Sequence, residues 1–448
     1  MNASLDRPHD TPGDTVAWLD GNDPGTTIAI DRGRAVSLAA FRDDVSRLAA
    51  QLPPHGAMVD LCEDRYQFLV AFAAAAVRGH PVLLPGSRAP EVVAEARAQH
   101  AGAYLHDDSM HGLGGDARAR LPAGLPARQV AAYGYTSGST GAPKRHEKTW
   151  GAFAATTRLN AAAIVAALTE RGIRERPQLV ATVPPQHMYG METSILLPLL
   201  AGMAVHGARP LFPADVAAAL AELSGPRVLV TTPVHLRALA HARVTLPPIA
   251  LALSATAPLP VALAREAEAA LGAPIVEMFG STETCVIATR RAALEEPWQA
   301  YDGVALDPRP DGVHVHAPWL HEPTPLLDLV ELLPGGRFEL RGRNADLLEI
   351  AGKRASLADL TRRVLAIDGV RDAVVFQPDG EGPVRRVAAL VVAPGLAAGA
   401  ILERLRAATD PAFLPRPLVL VDTLPRNEVG KLPRDRLLAA LARGTREV

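Results

Sequence analysis

The chain has 448 residues, 46 of them basic and 48 acidic, for a formal charge of −2. At 48% apolar and 21% charged it has an ordinary globular composition, and its length calls for two or three domains rather than one core. The near balance of charge leaves no field that would hold nucleic acid or an anionic membrane surface. Two cysteines, Cys62 and Cys285, cannot make a disulfide framework, which fits a reducing compartment such as the cytoplasm. Residues 1–16 are polar, with acids and prolines, so no signal peptide is expected. The longest clear apolar run, 68–77, stops at Arg78, and no stretch is expected to cross a bilayer or to hold a membrane stably.

Strand and helix patterns alternate through the first three quarters. Residues 177–183 predict a strand that turns at Pro184 and Pro185. Residues 227–231 predict another, followed by a helix from Pro233. A short apolar strand at 249–253 precedes a helix at 260–271, and a strand at 274–278 runs into Phe279, Gly280, Ser281 and Thr282. Strands joined by helices imply right-handed crossovers and a largely parallel, buried sheet. Ligands then bind in the loops at the carboxyl ends, here those after Val183, Val230, Leu253 and Met278.

From Val313 the texture changes. Alternation at 313–316 and 337–340, with Gly335 and Gly336 as a tight turn, predicts β-hairpins. The last hundred or so residues read as a separate α+β unit. It has helices at 357–367, 399–409 and 433–443 and strands at 373–376 and 386–392. The expected fold class is α/β. A large N-terminal domain (1–342) of parallel βα-layered sheets is followed by a hinge (343–346) and a small, mobile C-terminal α+β domain (347–448).

Lysine is scarce: Lys144, Lys148, Lys353 and Lys431 leave 46 − 4 = 42 arginines. A GC-rich genome explains the bias, but a lysine kept against it points to a place where a planar guanidinium cannot serve. Three of the four lie in motifs. Between Tyr133 and Lys144 the chain packs Gly134, Gly138 and Gly141 with Thr136, Ser137, Ser139, Thr140 and a closing lysine. Glycines let backbone N–H groups approach a phosphate, hydroxyls add donors, and lysine adds charge. The lysine trails the last glycine by three residues and no hydroxyl residue follows it, so this is not the Walker pattern.

That segment resembles the phosphate-binding loop of the adenylate-forming superfamily of acyl-CoA synthetases, aryl-acid ligases, peptide-synthetase adenylation domains and luciferases. Further segments resemble the superfamily's other core motifs, in the same order. In the run from Glu277 to Glu283, the resemblance implies that Phe279 packs on adenine beside Gly280 and Ser281. Thr282 would bond the α-phosphate and Glu283 would hold Mg²⁺; Phe279 stands where tyrosine is usual. Ser254 to Leu259 resembles the adenine loop, through Thr256 and Ala257, although the usual glycines are absent. Pro184 to Gly190 resembles the border of the acyl pocket, with His187 near the carboxylate. Asp328 would grip the ribose hydroxyls, although Leu327 replaces the usual glycine, and Arg343 would contact ribose or phosphates. The usual hinge acid falls at Ala345, with Asp346 next to it. Gly352 to Arg354 resembles the loop of the thiol tunnel, and Pro425 to Arg434 the last core motif, whose catalytic lysine would be Lys431.

The resemblance covers the chain from about Gly25 onward and marks a compact member. The interval from Glu283 to Asp328 (328 − 283 = 45) is short, so the β-rich subdomain is expected to be trimmed. It implies a ligase that uses ATP and Mg²⁺ to convert a small carboxylic acid to acyl-AMP and then to a thioester. Met188, Tyr189, Met191, Val230, Leu253 and Met278, with the neighbours of Cys285, would line an apolar acid pocket. No acid after His187 clearly anchors an amino group, with Glu192 and Asp215 left open, so an aryl, hydroxybenzoate-like acid is favoured. The chain is similar to stand-alone ligases of aryl-polyene and xanthomonadin-type pigment clusters, which load an acyl carrier protein. Free CoA as acceptor and a catalytically degenerate nucleotide-binding protein are the alternatives. His314 and His316 share a strand face but have no third ligand nearby, so they read as surface residues. Cys285 reads as a small core residue.

Overall fold

The computed structural model describes residues 15–19, 23–86, 88–110, 116–136, 144–343, 347–350, 353–378, 386–409, 411–427 and 430–445. The chain divides into two compact units, Met1–Ala305 with His316–Thr324, and Leu306–Val315 with Pro325–Val448. The hairpin 328–343 thus belongs with the C-terminal unit, and hinge positions 344–346 lie outside the described residues.

The N-terminal unit is built on two sheets. The smaller is ordered Tyr104–His106, Met58–Asp60, Val82–Leu84, Val130–Thr136, Lys144–Thr149, parallel except for its last pair. In the larger, Ile275–Ser281, Leu251–Ser254, Arg227–Thr231, Gln178–Ala181, Ala204–His206 and Thr27–Asp31 lie side by side, all parallel. Arg34–Ser37 adds an antiparallel strand on one side of this run, and Cys285–Arg290 followed by Trp298–Ala300 adds two on the other. The parallel strands are short apolar runs buried on both faces, as crossover topology demands. The expected strands at 177–183, 227–231, 249–253 and 274–278 are all present, the last running on to Ser281.

Helix Arg65–Arg78 lies under the core and is buried nearly all round. Its first residue, Arg65, is fully buried and donates to the carbonyls of Ala181 and Val183 at 2.9 and 2.7 Å and to the Ser194 hydroxyl. It thereby fixes the loop that leads to His187. Burial pushes the Arg65 guanidinium down to about 9.

Helix Trp150–Thr169 corrects one expectation. It is 20 residues long, and its mean hydropathy of 1.3 makes it long and apolar enough, by length and composition, to cross a membrane. Alanine, weakly apolar, had hidden it. One face, with Trp150, Phe153, Thr156, Asn160, Ile164 and Leu168, is packed into the core.

The C-terminal unit has its own core. Strands Asp372–Phe376, Ala388–Val392 and Leu418–Leu420 form a sheet with helices Leu357–Leu365, Ala398–Ala408 and Arg434–Gly444. The central strand alternates: Ala389 and Val391 enter one apolar cluster, Ala388, Leu390 and Val392 the other. Hairpin Asp328–Leu333 and Arg337–Arg343 turns at Gly335 and Gly336, whose φ of 77° and 72° suits glycine. His314 is buried beside Asp311 at 3.2 Å, not a surface residue as expected.

Removing the Arg65 side chain leaves two buried carbonyls and a hydroxyl without a donor. Each such loss costs about 1–3 kcal/mol. Arg65→Leu is expected to lower unfolding free energy by at least about 2 kcal/mol, read from urea denaturation. An unchanged midpoint contradicts the assignment.

Candidate active site

The expected phosphate loop spans a hairpin. Thr136 and Lys144 are cross-strand partners at the open ends of Val130–Thr136 and Lys144–Thr149. Thr136 is half-buried and Lys144 exposed. Ser137, Gly138, Ser139, Thr140 and Gly141 lie outside the described residues. Thr136 ends a parallel strand at its carboxyl edge, where ligands of such sheets bind.

The second hairpin comes from the larger sheet. Ile275–Ser281 turns back into Cys285–Arg290 through Thr282, Glu283 and Thr284. Glu283 therefore sits in a β-turn. The turn is tied internally, because the Ser281 N–H reaches the Thr284 hydroxyl at 3.1 Å and the Thr284 N–H reaches the Ser281 hydroxyl at 3.2 Å. A bulge at Phe279 and Gly280 brings the strands so close that a Cβ on Gly280 would lie 2.1 Å from the Cys285 carbonyl oxygen.

Three contacts lock these hairpins together. The ammonium of Lys148, 3% exposed, donates to the Glu283 carbonyl oxygen at 2.6 Å. His146 Nε2 lies 2.8 Å from Thr136 Oγ1 and 3.5 Å from Glu283 Oε1. Gly134 lies under Thr282, where a Cβ would come within 2.5 Å of Thr282 Cγ2. Thr136, His146, Thr282 and Glu283 thus converge, although Glu283 is 283 − 136 = 147 residues from Thr136.

Electrostatics favour a carboxylate here. Burial raises the Glu283 acid, but its own backbone N–H, the Ser281 hydroxyl and the charges of His146 and Lys148 outweigh that, leaving it below its ordinary range. His146 is pushed down, chiefly by burial and further by Lys148 and Lys144, against the pull of Glu283. The ionised Glu283 oxygens beside the Thr136 hydroxyl are hard donors, which fit Mg²⁺.

The adenine segments lie on neighbouring strands. Phe279, half-buried, packs against Trp298 with ring centroids 5.2 Å apart. Thr256 and Ala257 are half-buried after Leu251–Ser254, with Thr256 at φ 79°. Buried Glu277 holds the two loops in place: it accepts from the Leu259 N–H at 3.0 Å and pairs with Arg290 at 2.7 Å. His187, half-buried, precedes the short helix Met188–Met191. The expected pocket residues Met188, Tyr189, Met191, Val230, Leu253 and Met278, with Val286 beside Cys285, all belong to one buried cluster, and Cys285 is in the core as expected.

Two open questions are answered by geometry. Asp215 caps a surface helix, accepting from the Phe212 N–H at 3.3 Å, and takes no part in the site. Glu192 is buried, and its carboxylate accepts from the Val286 N–H at 3.1 Å and the Asn160 amide at 3.1 Å. Asn160 accepts in turn from the Tyr301 hydroxyl at 2.9 Å. Burial pushes Glu192 up to about 7, against the opposing pull of Val286, Asn160, Lys148 and Thr156. Sequence motifs missed Lys148, His146 and this network. One signal was available for Lys148: it was the one lysine in the chain left without a motif.

In the C-terminal unit, Asp328 and Arg343 are cross-strand partners, so two expected nucleotide residues share one hairpin end. Lys431 is exposed on a braced loop. Its N–H donates to Asn427 Oδ1 at 2.8 Å, and Arg426 bridges the Gly430 carbonyl and Asp372 at 2.9 Å each.

Residues 86–307 match the AMP-binding enzyme family. The 4-coumarate–CoA ligase of Rhodobacter capsulatus is 31% identical over 279 residues, 61% of this chain and 66% of that protein. The enzyme of the same name from Halorhodospira halophila is 29% identical over 313 residues, 66% of this chain and 73% of its own length. Among solved structures, o-succinylbenzoate CoA synthetase from Bacillus subtilis, in complex with ATP and magnesium ion, superposes with a TM-score of 0.79. It is 19% identical and covers 94% of this chain and 98% of that one. A benzoate CoA ligase from Burkholderia xenovorans gives a TM-score of 0.76 at 20% identity, with 94% and 98% coverage. Residues 86–307 thus form an AMP-binding enzyme domain, and the α/β fold matches that of adenylate-forming enzymes.

An acid with a folded value near 7 and an ordinary value of 4.5 holds its proton more tightly when folded, so its contribution to stability falls as pH rises through that window. Glu192→Gln abolishes the dependence. The stability of the variant relative to wild type is expected to rise between pH 5 and pH 7, measured by urea midpoints at each pH. A difference that does not change with pH contradicts this.

Proposed function

We propose that the protein is an AMP-forming acid–thiol ligase that activates a small carboxylic acid with ATP and passes the acyl group to a phosphopantetheine thiol. The observation that carries this reading is the convergence of Thr136, His146, Thr282 and Glu283 at the carboxyl edges of two sheets.

The first half-reaction joins two anions. At 4 Å and an effective dielectric near 20 their repulsion is about 4 kcal/mol. A carboxylate oxygen attacks the α-phosphorus, the bond to the β-phosphate oxygen breaks, and pyrophosphate leaves. Thr136, Ser137, Gly138, Ser139, Thr140, Gly141 and Lys144 are assigned to the phosphates, Thr282 to the α-phosphate, and His187 to the incoming carboxylate. Glu283 is the residue that would hold Mg²⁺, which when bound adds positive charge against the phosphates. Thr256, Ala257, Phe279, Gly280 and Ser281 are assigned to adenine, and Asp328 and Arg343 to ribose and phosphate. Lys431 supplies the remaining charge at the acyl carboxylate and α-phosphate. In the second half-reaction a thiolate attacks the acyl carbon, the carbon–oxygen bond to AMP breaks, and AMP leaves. A turn about residues 343–346 would withdraw Lys431 between the two.

We assign the acid to the aryl, hydroxybenzoate-like class, because the pocket residues are apolar and Asp215 is spent on a helix cap. The acceptor is assigned to an acyl carrier protein, by likeness to stand-alone pigment-cluster ligases, and the setting to the cytoplasm. Free CoA is the competing acceptor, since 4-coumarate–CoA ligases are relatives. A degenerate binding protein is disfavoured because Lys144, Glu283 and Lys431 are retained.

Acid-dependent ATP–pyrophosphate exchange across benzoates, cinnamates, fatty acids and amino acids tests the first half. Exchange with aryl acids is expected, and no exchange in protein that still binds ATP overturns the reading. Lys431→Ala is expected to abolish exchange yet spare thioester formation from preformed acyl-AMP; equal loss of both contradicts its role. Gly134→Ala drives a methyl into Thr282 and is expected to lower exchange at least about tenfold with the fold retained by circular dichroism. Wild-type exchange in that variant contradicts the position given to Thr282.

A further inference from the structure

We propose that Asp60, Cys62 and His106 form a buried transition-metal site, suited to Zn²⁺, at the carboxyl edge of the smaller sheet. Met58–Asp60 and Tyr104–His106 are neighbouring parallel strands, and Asp60 and His106, their last residues, lie in register. Cys62 follows in the loop, which is held by the Leu61 N–H to the His106 carbonyl at 2.7 Å and by the Cys62 N–H to Asp60 Oδ1 at 3.0 Å.

The donor atoms converge. Cys62 Sγ and Asp60 Oδ1 lie 3.5 and 3.6 Å from the same atom, His106 Nδ1. One ligand atom from each residue falls within 4.8 Å of the others. Tetrahedral zinc with bonds of about 2.0–2.3 Å sets its ligands about 3.3–3.8 Å apart. A thiol–imidazole–carboxylate catalytic relay needs the thiol and the acid on opposite ring nitrogens. Here both face one nitrogen, the arrangement of ligands around a shared centre.

Charge points the same way. Asp60 is buried, 3% exposed, and its Oδ2 has no hydrogen-bond partner. A buried carboxylate calls for a proton or a cation. One divalent ion with a thiolate, a carboxylate and an imidazole donor sums to zero charge. Sulfur, nitrogen and oxygen together favour zinc over magnesium or calcium. Asp108, exposed and accepting from the Glu63 N–H at 2.8 Å, stands beside Cys62 on the solvent side. The ion would brace the loop that leads into helix Arg65–Arg78. The site is separate from Glu283, and its test does not depend on the ligase reading.

Full-length protein stripped with chelator and titrated with Co²⁺ tests the site. Binding of one equivalent is expected, with a thiolate-to-cobalt charge-transfer band that Zn²⁺ displaces. Cys62→Ser should abolish the band, Cys285→Ser should keep it, and His106→Gln should weaken binding at least about tenfold. Absence of the band in wild type, or an equal band in Cys62→Ser, overturns the proposal. Should Cys62→Ser fail to fold, alkylation of wild type decides, read by peptide mapping in mild urea. Protection of Cys62 by Zn²⁺ supports the site, and equal labelling with and without Zn²⁺ overturns it.

Discussion

Two hairpins from different sheets have to meet for this protein to present a nucleotide edge, and a buried lysine holds them. Lys148 stands on the strand that follows the phosphate loop and bonds the Glu283 carbonyl in the turn of the other hairpin. Burying an ammonium is costly unless it is paired and bonded. The cost is offset by that carbonyl, with the Glu192 carboxyl and the Cys285 sulfur also close to the ammonium. A compact ammonium suits this single carbonyl contact better than a planar fork, which fits a lysine in an arginine-rich chain. Gly134 completes the fit from below, because any side chain there strikes Thr282.

The site is anchored at each end by buried polar groups rather than by apolar packing alone. Arg65 fixes the approach to His187 through two carbonyls, and Glu277 fixes the adenine segments to each other. In a close-packed interior such bonds specify one backbone path, since any other leaves donors or acceptors unmet. The C-terminal unit follows the same logic on a smaller scale. Asn427 and Arg426 bond the backbone of Lys431 and Gly430 from one side.

Much of this was legible in the sequence. Apolar runs bounded by proline and glycine located the parallel strands, because strands buried on both faces have little polar residue to confuse the pattern. Motif order singled out Thr136, Lys144, Thr282, Glu283, Asp328 and Lys431, and the N-terminal unit brings Thr136, Thr282 and Glu283 together. What escaped depends on three-dimensional packing. Helix Trp150–Thr169 was hidden by alanine, whose weak hydropathy blurs a 20-residue span. The β-turn around Glu283 is set by the Ser281–Thr284 bonds, and the strand continues two residues past the point where the apolar pattern ends. Lys148 and Glu192 meet through partners 135 and 94 residues away, a relation that no local spacing encodes.

The central claim is that an acid oxygen attacks the α-phosphorus at this edge. The most direct measurement is a single-turnover reaction with an aryl acid labelled with ¹⁸O in its carboxylate, ATP and a pantetheine thiol, followed by mass spectrometry of the nucleotide. The account predicts one ¹⁸O atom in AMP and none in pyrophosphate. Label in inorganic phosphate with release of ADP, or thioester formation with unlabelled AMP, would contradict it.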